Sequence, residues 1–176
     1  LTNDFNALLT RFSSWLTATP LSAFVAGQAW VVPTVQVAHI LAIAVVMASV
    51  LIINLRVLGL ISPSQSLGAL IHRFVAPAGA AIIVLALTGL LMIAGEPTRA
   101  IFRYVFWTKM ALLAVALGIS AALLTGLRAS GVASDAGRPV PAVYRGLAVA
   151  GLLVWLGIIV AGRWIGYAGG WPGSPS

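Results

Sequence analysis

His39, Lys109 and Arg163 stand at the edges of, or inside, tracts that otherwise hold almost no ionisable side chain. Residues 12–55, 74–95, 110–127 and 146–162 contain no Asp, Glu, Lys or Arg. An imidazole in such surroundings can ligate a metal or make a strong hydrogen bond, while an ammonium and a guanidinium bind anionic groups. Gln36, one helical turn before His39 on the same face, would orient the ring or add a polar ligand. Met110, beside Lys109, offers a thioether as a second metal ligand, against the simpler role of filling space. The chain has no Cys, which removes thiolate ligands and disulfides. No acid falls inside an apolar tract, so a buried carboxylate relay for proton-driven transport is missing. Nor do two His residues at opposite ends of the tracts, with scattered Ser and Thr, form a nucleophile with its base.

The elements that must position these groups follow from composition. Of 176 residues 61% are hydrophobic and 7% charged, with mean hydropathy +1.07, which excludes a water-soluble enzyme. Spanning a bilayer takes about 20 apolar residues in helical form, and the apolar stretches predict spans at 33–58, 67–94, 100–127 and 141–166. Connections carry Ser62-Pro63-Ser64, Gly95-Glu96-Pro97 and the polar segment Ala129 to Pro139. Pro33 and Pro141 fit first-turn positions, where a missing N–H is harmless, and Pro77 should kink the second span. Ala114, Gly118 and Ala122, and Gly162 with Gly166, have the small-residue spacing of close helix packing. Ahead of the spans, Phe5, Leu8, Leu9, Phe12, Trp15 and Leu16 recur at helical intervals among polar residues, the pattern of a helix lying in the membrane interface, ended by Pro20. The fold class is therefore all-α: a polytopic four-transmembrane-helix up-down bundle with an N-terminal interfacial amphipathic helix. Residues 1–29 form that helix and a lead-in, 30–168 the four-helix domain, and 169–176 a loose tail.

Depth decides which groups can meet. Counted from entry points near Val31 and Ile101, His39 and Lys109 each lie about 12 Å deep, in one layer; Arg163 lies about 6 Å from the same surface. Its side chain tilts toward the helix N-terminus, which in the fourth span is inward. His72 belongs to the opposite surface, at least about 10 Å from His39 along the membrane normal, which disfavours one haem bridged by both histidines. The competing account is structural: Lys109 snorkels to the surface, Arg163 pairs with Glu96 or lipid phosphate, and His39 makes one interhelical hydrogen bond.

Ten Lys plus Arg against three acids give a net charge of +7. In so apolar a chain this favours anionic lipid headgroups over nucleic acid, for which no motif appears. Arg56, Arg73, Arg128, Arg138 and Arg145 make one face the more basic in its loops and flanks, placing that face in the cytoplasm and both termini outside. Trp30, Trp107, Trp164 and Trp171 gather toward the other face as an aromatic belt would. The leading stretch from Leu1 to Thr19 lacks the charged start and apolar run of a secretory signal.

Several segments carry a resemblance. Trp30-Val-Val-Pro33 with His39, Leu55-Arg56-Val-Leu-Gly59, His72-Arg73-Phe74, Leu87-Thr88-Gly89-Leu90, Phe106-Trp107-Thr108-Lys109 and Gly162-Arg163-Trp164-Ile165 resemble an uncharacterised family of small four-span bacterial membrane proteins, whose members often carry Asp where this chain has Asn54. The Arg-Phe, Thr-Gly and Lys elements also look like the membrane domain of CopD-type copper-resistance proteins. The first-span His and third-span Lys look like HemJ-type protoporphyrinogen oxidases. The resemblance implies a multi-pass protein of the bacterial inner membrane; the charge count then makes its termini periplasmic, and the composition makes the lipid bilayer its main partner. Together with the residues it leads to one expectation: His39 with Gln36, Lys109 and Arg163 holds a haem or porphyrin, a quinone or a copper-related ligand near the periplasmic face, without itself being an enzyme. The alternative is a structural accessory subunit of a larger respiratory or photosynthetic complex, and a third reading is a HemJ-like oxidase.

Overall fold

The computed structural model describes residues 2–61, 65–133 and 139–164. Among them every regular element is a helix: α1 (Thr2–Thr17), α2 (Pro20–Gly27), α3 (Val31–Val57), α4 (Leu67–Gly95), α5 (Pro97–Ile101), α6 (Tyr104–Ala129) and α7 (Ala142–Trp164). Four of them, α3, α4, α6 and α7, are long and apolar enough to cross a membrane. With no water in hydrocarbon to satisfy backbone groups, helices are what such sequences must form. The protein is a multi-pass membrane protein with an up-down bundle. The expected tail from Gly169, together with Gly166 and Trp171, lies outside the described residues.

Local chemistry sets the helix ends. Thr19 accepts from the Ser22 N–H at 3.2 Å and Pro20 occupies the first turn of α2, so the proline expected to close the interfacial helix also opens a second one. Ser66 caps α4 by accepting from the Ala69 N–H at 3.2 Å. Gly59, at φ +78°, follows the end of α3, where the left-handed conformation favours glycine. α4 runs through Pro77 without interruption. The third span differs from expectation. The chain makes the short helix α5, breaks at Phe102, and restarts at Tyr104 from an extended Arg103, while the Trp107 indole N–H clamps the break by donating to the Ile101 carbonyl at 2.9 Å.

α3 packs on α4, α6 packs on α7, and α3 against α7 joins the two hairpins, whereas α4 and α6 scarcely meet. α1, α2 and α5 gather over the end of the bundle where α3 and α6 begin and α4 ends. That end is the His39 face; the other is the His72 face. In α1, Leu9 and Ser13 are buried while Leu8, Phe12 and Trp15 are exposed on one stripe, as a helix with one side on protein and one in lipid requires. A buried cluster of Ile53, Val57, Leu67, Ile71, Leu123 and Leu127 holds the His72 half, and Ala42, Val46, Ala81, Ala116, Trp155 and Ile158 hold the middle.

The small-residue stripe read on the third span turns outward. Ala114, Gly118 and Ala122 are exposed, and a Cβ on Gly118 would meet nothing within 4 Å. The glycine that matters between α6 and α7 is another one: a Cβ on Gly126 would stand 2.6 Å from the Tyr144 ring.

Candidate functional site

His39 lies on the third turn of α3, half-buried, and its Nδ1 is 2.7 Å from the Thr88 hydroxyl on α4. Thr88 is only 8% exposed, and its hydroxyl lies 2.6 Å from the Val84 carbonyl and 3.3 Å from that of Leu85. A threonine hydroxyl has one proton and two lone pairs. With that proton on the Val84 carbonyl, Thr88 can only accept from the ring, so Nδ1 carries the hydrogen and donates. A neutral His39 then presents Nε2 as a bare lone pair. Gly89, next to Thr88, lies alongside the ring: a Cβ there would stand 3.8 Å from His39 Cε1, at ordinary contact distance.

Gln36 is exposed, and the ring takes its orienting bond from α4 rather than from its own helix. The sequence offered one hint of the true partner: Thr88 is the single hydroxyl residue of α4.

Lys109, on the second turn of α6, is half-buried and close enough to act electrostatically on the His39 ring. Its Nζ stands 3.9 Å from where a Cβ on Gly162 would be, ordinary contact distance, so the ammonium lies against α7. Lys109 therefore points at α7 inside the bundle and not into lipid. Because α6 starts at Tyr104, its backbone is about 7.5 Å below the His39 face against about 12 Å for His39, a step in depth rather than one shared layer. Among the described residues the Lys109 ammonium has no hydrogen-bond or ion-pair partner. The Arg163 side chain lies outside the described residues, its backbone in the last turn of α7. Met110 is half-buried on α6, about 100° around the helix from Lys109.

His72 is exposed at the other end of the bundle. The rise along α4 from His72 to Thr88, and hence to His39, is about 24 Å, so the two histidines serve no common ligand. Among the described residues no three His, Asp or Glu side chains gather as a metal cage.

What the arrangement offers is one oriented imidazole lone pair and one cation without a counter-charge among the described residues. The chain belongs to the family of unknown function DUF6644, whose profile matches residues 16–168. No curated protein and no solved structure matches the chain. Nothing in these comparisons supports the likeness to CopD-type or HemJ-type proteins.

Proposed function

We propose that this family member binds an anionic or redox-active membrane ligand at its His39 face, with His39 Nε2 as the ligating or accepting atom and Lys109 as the counter-charge. The observation that carries this reading is the Nδ1–H bond to Thr88, which leaves Nε2 unspent. Orienting bonds of this kind fix the tautomer of metal-binding histidines. The ammonium, unpaired among the described residues, supports a ligand with negative charge, because burying a cation alone is costly. A haem or other metalloporphyrin fits best among the candidates: it brings four of its own ligands, needs one axial nitrogen, and has carboxylates for Lys109 and, from the end of α7, Arg163. A quinone, held by hydrogen bonds and charge, is the next. Copper alone would draw on His39 and Met110, with no third His, Asp or Glu gathered there among the described residues. In this reading the membrane is the bacterial inner membrane and the His39 face is periplasmic.

The deciding experiment is an absorption spectrum and metal analysis of detergent-purified protein, alongside His39→Ala. A Soret band lost in the variant while the protein still inserts is the expected result. Colourless protein free of metal and of extractable quinone defeats the proposal.

A second reading, an accessory subunit of a larger membrane complex, draws on the outward stripe of Ala114, Gly118 and Ala122. Small residues on a lipid-facing side let another helix approach closely. Stoichiometric partners after mild-detergent purification would favour it, and a protein that purifies alone would remove it.

A further inference from the structure

The weak contact between α4 and α6 leaves a cleft in the half of the bundle nearer the His72 face. Its volume is about 230 Å³, and its walls come from Ser49 and Asn54 of α3, Ala78 and Gly79 of α4, Ser120 of α6 and Trp155 of α7, among apolar neighbours. Counted from the end of α3 at Val57, the lining runs from about 4.5 Å deep at Asn54 to about 16 Å at Val46. That range lies within hydrocarbon about 30 Å thick. Gly79 and Ala121, on the two helices that part, are exposed, and a Cβ on Gly79 would meet nothing within 4 Å. The mouth therefore opens sideways toward lipid.

The polar groups in the wall have largely spent their protons. Ser49 donates to the Val45 carbonyl at 2.8 Å, and Ser120 donates to that of Ala116 at 2.7 Å while accepting from the Trp155 indole N–H at 3.3 Å. Asn54 is 6% exposed and its amide donates to the Val50 carbonyl at 2.7 Å. Asn54 Oδ1, however, is buried with no partner; it rests 3.7 Å from where a Cβ on Gly151 would stand, and glycine offers it no side-chain donor. An unmet buried acceptor costs about 1–3 kcal/mol relative to a satisfied one. Lone pairs without matching donors call for an occupant that brings a proton. The lining has no charged residue, so the occupant is neutral. A cavity of about 150 Å³ already admits benzene.

We propose that this cleft is a second binding site, independent of His39, for a neutral membrane-soluble compound with a hydroxyl donor on an apolar body about the size of one substituted ring. The hydroxyl satisfies the Asn54 side-chain carbonyl, the ring fills the space between α4 and α6, and any tail leaves through the lateral mouth. About 9 Å of α4 separates Ile82 in the lining from Thr88 beside His39, so the two sites can be emptied separately.

The test is binding of 4-butylphenol and of its methyl ether, 4-butylanisole, to the full chain in lipid nanodiscs, by calorimetric titration. The phenol should bind about tenfold tighter than the ether, since only it can supply the missing donor. Asn54→Leu should erase that preference while leaving ether binding, and Ala78→Phe or Ala121→Phe should weaken both ligands. The phenol–ether comparison on the unaltered protein needs no variant to fold. Equal binding of the two compounds, a preference that survives Asn54→Leu, or no binding of either, as in a cleft that holds only water, overturns the proposal.

Discussion

Replacing Thr88 by Val is the sharpest probe of the His39 site, because it removes one oxygen and keeps the shape. In the structure that oxygen joins α3 to α4 through a 2.7 Å bond to His39 Nδ1 and is itself held by the Val84 carbonyl at 2.6 Å. Interhelical bonds in membranes average about 0.6 kcal/mol and reach about 1.7. Thr88 is buried and the bond is short, so the expected loss of stability is toward the upper end, about 1–1.7 kcal/mol. The larger effect is on the ring. Without Thr88 nothing holds the proton on Nδ1, so the Nε2–H tautomer that a free neutral imidazole side chain prefers returns, and the ring is free to turn about its bonds. Loss of an orienting partner of a metal-binding histidine costs about 10–100-fold in affinity, and that is the expected loss for the ligand bound at Nε2. Thr88→Ser keeps the hydroxyl and should restore most of the affinity. The assay is ligand titration by absorbance in detergent, with stability followed by titration in a denaturing detergent. A ligand-free check exists as well: ¹⁵N spectra of neutral His39 should show the proton on Nδ1 in the unaltered protein and chiefly on Nε2 in Thr88→Val. A proton found on Nε2 in the unaltered protein, or wild-type affinity in Thr88→Val, refutes the reasoning.

Two further outcomes follow from the same geometry. Lys109→Gln removes the charge that faces α7 beside Gly162, and should weaken an anionic ligand about tenfold or more while leaving a neutral analogue unchanged, since charged hydrogen bonds contribute about 1.5–3 kcal/mol; equal loss for both would mean that Lys109 acts only on the fold. Gly126→Ala should destabilise the bundle by about 1–3 kcal/mol because its methyl would press on the Tyr144 ring, whereas Gly118→Leu, facing open space, should leave the stability of the isolated chain unchanged; both are read by the same denaturation curve, and reversed rankings would contradict the helix orientations.

The spans were legible because their cause is local and additive. Charge-free tracts bounded by Arg56, Arg73, Arg128 and Arg145 mark where hydrocarbon ends on the His72 face, whereas on the His39 face the first tract runs back to Phe12 and the third begins only after Lys109, on the second turn of α6. Helix ends such as Thr19-Pro20 and Ser66 are set by adjacent residues, yet the expectation that Pro20 only closes the first helix misses the one it opens. The direction in which each span faces was not legible. A soluble helix advertises its buried side by alternating apolar and polar faces, but in lipid both sides are apolar, so α3, α4 and α6 carry almost no such mark. Hence Ala114, Gly118 and Ala122 have the spacing of an interface yet face outward, and Gln36, one turn from His39, is not its partner. Thr88 is, from 49 residues away. Likewise the orphaned Asn54 carbonyl and the cleft beside it exist only because α4 and α6 part while α3 and α7 close. Chain composition fixed which groups are confined in hydrocarbon; the rotation of each helix about its own axis, settled by how the four pack, chose which of them meet.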